Sequence, residues 1–206
     1  MNTRPIVHIV DDDLGVRTSM RALVEVVQLD SRVYASAEDY LDRLEPLQHG
    51  CLATDLQMPG MSGIELLRHL RGKKIDIPAI IISGSADVPA MIQIMKLGAI
   101  DMLEKPVDHT AFILAVRTAI EKSDELISRR TEIERMQAVF ADLTPREREL
   151  LRLIVRGRSN KQIAIDLKIA IKTVSNHRAS LMAKTHALNA ADLARMATIE
   201  GLFAPE

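Results

Sequence analysis

Short apolar runs, each followed by a longer segment at helical spacing, constrain the front half of this chain more than any other feature. The runs are IVHIV (6–10), CLAT (51–54), AIII (79–82) and IDML (100–103), with RVYA (32–35) a weaker fifth. Between them apolar residues recur at helical period: Val16, Met20, Leu23 and Val27; Tyr40, Leu41 and Leu44; Ile64, Leu67 and Leu70; Met91, Ile92 and Met95. Strands that are nearly all apolar are buried on both faces, which is the habit of parallel sheets. Parallel strands also need long crossovers, usually helices. The alternation therefore predicts an α/β domain, a five-stranded parallel sheet wound with helices on both faces. Five such units fill about 120 residues, an ordinary domain size.

The pattern then changes. Between Pro106 and Pro145 there is neither Pro nor Gly. Asp108 suits a helix N-cap, and Phe112, Val116, Ala119 and Ile120 form an apolar stripe. From Glu121 to Arg135 nine of fifteen residues are charged. One helix is expected, packed on the sheet at its start and projecting into solvent as a linker, with a break allowed at 122–126. A coiled-coil seam along it is interrupted by Ser123 and Arg130.

Beyond residue 143 the chain reads as helices only. Thr144, Pro145 and Glu147 offer an N-cap, a first-turn proline and a capping box, and Gly157 a stop. A second helix follows Ser159 or Asn160, a third covers AIKTVSNHRASLMAKT, and a fourth is capped by Asn189 and ended by Gly201. The result is a small all-α bundle of four helices. The expected division is 4–122, a helical linker 123–142 continuing the last front helix, and 143–206.

The overall charge of −1 hides an asymmetry. Residues 1–122 carry a net −4 and residues 123–206 a net +3; from Arg146 to Lys184 there are 10 basic and 3 acidic side chains. A basic rear domain fits nucleic acid, and equally a solvated face. Aromatics are only 2% with no Trp, which argues against base stacking as its mode of binding. Cys51 stands alone and the first residues show no signal-peptide pattern. No apolar run approaches the ~20 residues of a membrane span. A soluble, cytoplasmic protein with no membrane partner is expected.

In an open parallel sheet, functional groups gather beyond the carboxyl ends of the strands. Strand one ends in Asp11, Asp12 and Asp13, strand three in Asp55, strand four in Ser83 and strand five in Lys105. Adjacent carboxylates repel, and a hard cation such as Mg²⁺ relieves that repulsion. The Ser83 hydroxyl and Lys105 ammonium could hold the oxygens of a phosphoryl group, and Asp55 could accept one as an aspartyl phosphate.

Taken together, VDDD, TDLQMPGMSG, IIISGSAD and EKP resemble the receiver domain of two-component response regulators, over about residues 4–122. The resemblance implies the flavodoxin-like doubly wound fold. It implies Mg²⁺ held by Asp12 directly, by Asp11 through water, by Asp55 and by the backbone carbonyl of Gln57. Asp55 is then the phosphoacceptor, with Ser83 and Lys105 on the phosphoryl oxygens, and Lys105–Pro106 a cis peptide. Asp13 falls outside the set and reads better as a helix N-cap. Where receivers carry an inward-turning Phe or Tyr, this chain has Met102. Gln57 and Ser85 stand where such domains tune phosphoryl lifetime. Cys51 and most methionines of the front half read as core, and the six histidines show no metal-ligand spacing. By the same resemblance the fourth helix and fifth strand, about 88–104, are expected to present Met91, Met95, Asp101 and Glu104 on a face that similar receivers commonly pair.

In the rear, LTPRERELL, NKQIAIDLKI and IKTVSNHRASLMAK resemble the LuxR-type helix-turn-helix family, over about 143–203. Two short helices about a tight turn lay the second in the major groove. Ile163, Ala164, Leu167, Val174, Leu181 and His177 are expected inward. Lys172, Thr173, Ser175, Asn176, Arg178 and Ala179 are expected outward. The family's placement puts Ser175, Asn176 and Ala179 nearest base edges, with Asn176 the adenine reader. Lys161, Lys172, Thr173, Arg178 and Lys184 are phosphate candidates. Leu193, Met196, Ala197 and Glu200 lie where this family pairs its DNA-binding domains. The whole is most similar to the FixJ group. It implies a regulator phosphorylated by a sensor histidine kinase, homodimeric when phosphorylated and bound to double-stranded promoter DNA, with RNA polymerase an admissible partner. Its only enzymatic chemistry would be self-phosphorylation from a phosphodonor and slow self-dephosphorylation.

Two other readings compete. Asp11 and Asp13 form the Asp-x-Asp of haloacid-dehalogenase-type phosphatases, but only Asp108 and Glu121 follow Lys105 in the front domain as the acidic pair that class needs. A phosphorelay carrier with a vestigial tail would leave the basic 146–184 segment unexplained.

Overall fold

The apolar runs form five parallel strands: β1 (Ile6–Val10), β2 (Asp30–Tyr34), β3 (Gly50–Asp55), β4 (Ala79–Ser83) and β5 (Ala99–Glu104), ordered 2-1-3-4-5. The computed structural model describes residues 4–45, 49–84 and 88–199. Ser85, Glu200 and Gly201, for which the sequence carries expectations, lie outside them. Helices α1 (Leu14–Val26), α2 (Ala37–Asp42), α3 (Gly63–Gly72), α4 (Val88–Lys96) and α5 (His109–Ala141) connect or follow the strands.

Side-chain alternation divides the strands between two cores. Val7, Ile9, Cys51, Ala53, Ile80 and Ile82 pack with Met20 and Val24 of α1 and with Phe112, Val116 and Ala119 of α5. Val10, Leu52, Ala79 and Ile81 pack on the other face with α2, α3 and Ile94 of α4. Gly63 opens α3 against the end of β3, where a Cβ would lie 2.3 Å from the Asp55 carbonyl oxygen. The loop after Asp55 therefore has no room for a larger residue.

The end of α1 needs correction: Val27 lies past the helix as its C-cap, while Val16, Met20 and Leu23 pack on the core as expected and Val24 joins them. Met91, Ile92 and Met95 lie outside the core at 45, 50 and 50% exposed, as expected of Met91 and Met95 on a pairing face, and among the described side chains of α4 only Ile94 is fully buried. The strand order explains this. β5 is an edge strand, so α4 has little sheet to cover and only its inward residue is enclosed. Leu44 also falls outside α2.

His8 is fully buried on β1. Its Nδ1 is 3.0 Å from the Tyr34 hydroxyl, and its ring lies 5.8 Å from that of Tyr34 and 5.6 Å from that of Tyr40. Burial, reinforced by the Arg32 charge, lowers its pKa from 6.5 to about 4. The unfolded chain thus takes up a proton near pH 6.5 that the folded chain resists until about pH 4. Above pH 6.5 both forms are neutral and His8 has no linked effect. Between those values falling pH removes stability, up to roughly 3 kcal/mol. Urea midpoints from pH 7 to 4.5 will fall less steeply in His8→Phe than in the parent. Parallel slopes would refute the assignment.

Helix α5 runs unbroken through 122–126. Ser123 is buried and accepts a hydrogen bond from the Gly50 N–H, while the His49 ring lies 2.7 Å from Asp124 Oδ1. The helix therefore stays fastened to the front domain longer than its charge suggests. From 125 to 135 no side chain is buried, and then Met136 and Phe140 join the rear core. The described residues separate into two compact units, one ending at Ile127 and one starting at Ser128.

The rear unit holds α6 (Pro145–Val155), α7 (Asn160–Asp166), α8 (Ile171–Thr185) and α9 (Ala190–Ile199). Thr144 and Ser159 both close capping boxes, and Gly157 adopts φ 73° after α6. Asn189 accepts from the Asp192 N–H at the start of α9. Leu150, Ile154, Ile163, Val174, Leu181 and Leu193 make its centre.

Candidate functional site

Parallel strands bring the ends of β1, β3, β4 and β5 to one edge of the sheet. Asp11 and Ser83 are fully buried there, Asp55 nearly so, and Asp12 is exposed. One carboxylate oxygen from each of Asp11, Asp12 and Asp55 falls within 4.8 Å of the others. Lys105 Nζ lies 2.8 Å from Asp11 Oδ2 and 3.1 Å from Asp55 Oδ2. The Lys105–Pro106 peptide bond is cis, and the Lys105 N–H donates to the Ser83 carbonyl. The sheet thus brings Asp11, Asp12, Asp55, Ser83 and Lys105 to a common edge.

Burial pushes the Asp55 carboxyl above its usual range and the Asp11 charge adds to this, while Lys105 and the Gln57 backbone N–H oppose it. Burial likewise disfavours the Lys105 ammonium, but its hydrogen bonds to Asp11 and Asp55 outweigh that and raise its pKa. Three carboxylates converge where one ammonium pairs with two of them, an excess of hard oxygen donors and negative charge. That donor set fits Mg²⁺. The chain thus carries the acidic triad typical of a receiver Mg²⁺ site.

Asp13 is engaged elsewhere. Its Oδ1 accepts from the Gly15 and Val16 N–H groups, at 2.6 and 3.2 Å, and caps α1. Met102 is half-buried on β5 against the core that contains Ile81 and Ile94. Cys51 is buried and its thiol is pushed up to about 12 by that burial, so it remains a neutral core residue.

In the rear unit α7 and α8 meet about a four-residue turn in which Lys168 takes φ 53°. Lys172, Ser175, Asn176 and Ala179 of α8 are exposed, as is Lys161 of α7. Val174 and Leu181 face the core and His177 is half-buried. Two members of the outward set differ from expectation, and one phosphate candidate, the exposed Lys184, also has a partner within the domain. Thr173 is half-buried. Arg178 is half-buried and donates to the Asn160 side chain at 2.9 Å. Lys184 pairs with Glu147 at 2.9 Å.

Glu147 was legible only as a capping residue. It is 4% exposed and also accepts from Ser180 Oγ, so it joins the start of α6 to the second half of α8. The Lys184 hydrogen bond, then those from Thr144 and Ser180, overcome its burial and lower its pKa to about 2. A carboxylate at an inward position of α6 calls for a cation. No local spacing identifies one 37 residues away.

Among the described residues, no helix is long and apolar enough to cross a membrane. The response regulator receiver domain model matches residues 7–117, and the model for bacterial regulatory proteins of the luxR family matches residues 141–197. The chain is 41% identical over 196 residues to the transcriptional regulatory protein FixJ of Azorhizobium caulinodans, covering 95% of this chain and 93% of that protein. It is 34% identical over 191 residues to the response regulator protein TmoT of Ectopseudomonas mendocina, covering 93% and 87%. Among solved structures it is similar to the response regulator StyR, with a TM-score of 0.83 at 36% identity over 95% of this chain and 99% of that one. Full-length FixJ from B. japonicum gives 0.58 at 32% identity over 98% and 100%. A receiver implies a histidine kinase partner, a luxR-family domain implies DNA, and this family is not enzymatic beyond the receiver's own phosphorylation chemistry. The chain therefore belongs to the response regulator family, as a FixJ-like transcriptional regulator that joins a receiver domain to a luxR-family helix-turn-helix domain.

Proposed function

We propose that this protein is a cytoplasmic, phosphorylation-controlled regulator that accepts a phosphoryl group on Asp55 from a sensor histidine kinase, forms a homodimer and binds promoter DNA. Residues 4–122 receive the signal, 123–142 connect, and 143–206 read DNA. The observation that carries this reading is Lys105 Nζ lying within hydrogen-bond distance of both Asp11 and Asp55 at the strand-end edge.

An oxygen of Asp55 attacks the donor phosphorus. An acyl phosphate bond forms as the bond to the donor's nitrogen or oxygen breaks, and the departing group keeps the electron pair and is protonated from solvent. Lys105 stands beside the nucleophile, where its ammonium meets the charge on the transferring oxygens. Ser83 contributes a hydroxyl from the next strand end. When bound by Asp11, Asp12, Asp55 and the Gln57 carbonyl, Mg²⁺ supplies positive charge against the crowded oxygens.

On the DNA side, Ser175, Asn176 and Ala179 face base edges and Lys172 and Lys161 face phosphates. Arg178, Lys184 and Thr173 are further phosphate candidates, and the bonds of Arg178 to Asn160 and of Lys184 to Glu147 also position α8. Selection of bound sequences from random DNA, with and without a small-molecule phosphodonor, tests the whole reading. A defined, phosphodonor-enhanced site is expected. Binding without preference in both states would overturn it.

On the selected site, Asn176→Ala will relax preference at one or two base pairs by roughly 1–3 kcal/mol. Lys172→Ala will weaken binding to every sequence and reduce the salt slope by about one unit. Identical behaviour of the two would mean that the rotation of α8 is misassigned.

A further inference from the structure

We infer that Ile171 is a further specificity-determining residue of the DNA-reading helix, its branched side chain recognising the 5-methyl group of a thymine in the major groove. The inference rests on the DNA-reading role proposed for α8. Ile171 is the first residue of that helix, and the N-terminal residues of a recognition helix are those that meet base edges.

Its side chain is 49% exposed. Leu167 and Ile169, in the turn just before it, pack against the domain core; Ile171 does not. Ser175 stands one turn later on the same face, and its hydroxyl donates to the Ile171 carbonyl at 3.2 Å. Exposed positions 171, 172, 175, 176 and 179 thus form one continuous strip, polar except at its N-terminal tip and at Ala179. Ala170 precedes Ile171 and places no side-chain hydrogen bond on the helix start, so the side chains at the tip ahead of Lys172 are apolar.

The major groove presents a single apolar group on its base edges, the thymine methyl. A cytosine amine or guanine oxygen set against Ile171 would lose its water and gain no partner, which is unfavourable. The tip therefore favours thymine. Ile165 and Leu188 are also exposed but lie on or beside other helices, away from this strip.

The test uses the full chain with phosphodonor and the site it selects from random DNA. Each thymine is replaced in turn by deoxyuridine, which removes the methyl and leaves the hydrogen-bonding groups intact. At one thymine per half-site the parent protein will bind about fourfold more weakly, the effect of one buried methyl group. Ile171→Ala will bind the thymine and deoxyuridine sites equally, and Ile171→Val will keep part of the difference. Circular dichroism and retained binding to non-specific DNA establish that the variants are folded. A parent insensitive to deoxyuridine at every position, or an Ile171→Ala variant with the parental ratio, would overturn the inference while leaving the DNA-binding role intact. Failure to select any site would overturn that role and the inference with it.

Discussion

Asp55→Asn will give a folded protein that takes up no phosphoryl group. Intact-mass measurement after phosphodonor treatment will show one added phosphoryl group on the parent and none on the variant. The amide preserves the volume of the side chain, so the strand end and the loop closed by Gly63 keep their packing. What is lost is the anionic oxygen that attacks phosphorus, and the neighbours have other roles: Asp11 is buried against Lys105, Asp12 is assigned to the metal, and Asp13 caps α1. Stability will move the other way. Burial and the Asp11 charge raise the Asp55 pKa, so at neutral pH its ionisation is unfavourable in the folded state relative to the unfolded one. A neutral amide removes that cost, and the variant's thermal midpoint will equal or exceed the parent's. Full labelling of Asp55→Asn would sink the assignment of the phosphoacceptor.

Phosphodonor treatment will also convert a mostly monomeric, weakly binding protein into a dimer that binds its selected site up to about a hundredfold more tightly. One helix-turn-helix unit reads few base pairs, and two-fold sites need two units about one DNA turn apart. The surface available for pairing on the receiver is α4 and β5. Met91, Ile92 and Met95 are half-exposed and Asp101 and Glu104 are exposed, while among the described side chains of α4 the core fully buries Ile94 alone. An apolar helix face beside acidic residues, covered by no other element of the receiver, is a surface that a modest bias can pair. Sedimentation with and without phosphodonor measures the change, and Met95→Glu will block pairing while leaving phosphorylation of Asp55 intact. Equal mass and equal DNA affinity in the two states would refute phosphorylation-driven pairing.

Apolar periodicity made the five strands, the helices between them and the four rear helices legible. Capping at Thr144, Ser159 and Asn189 follows from hydrogen bonding over three residues, which a sequence displays directly. The candidate phosphoacceptor edge was also readable, because parallel topology sends every strand's carboxyl end the same way. Asp11, Asp55, Ser83 and Lys105 are thereby gathered from separations of up to 94 residues. The exposed face at 88–104 was readable for Met91 and Met95 through the receiver resemblance, but not from their core chemistry and helical spacing; the edge position of β5 is what leaves them and Ile92 uncovered.

The sequence by itself determined the α/β front, the helical rear, the strand-end chemistry and the family. Those depend on local spacing and on residue types that few other roles explain. Tertiary structure alone decided which charged groups are engaged internally. Lys184 and Arg178, phosphate candidates in the basic segment, also bond within the domain, one to Glu147 and the other to Asn160. It also decided where the long helix is held, through Ser123 and Asp124 at one end and Met136 and Phe140 at the other. The physical reason is common to these cases. A charge or an apolar group carries no mark of its partner, and a partner 18 or 37 residues away is chosen by the packing of helices rather than by any period along the chain.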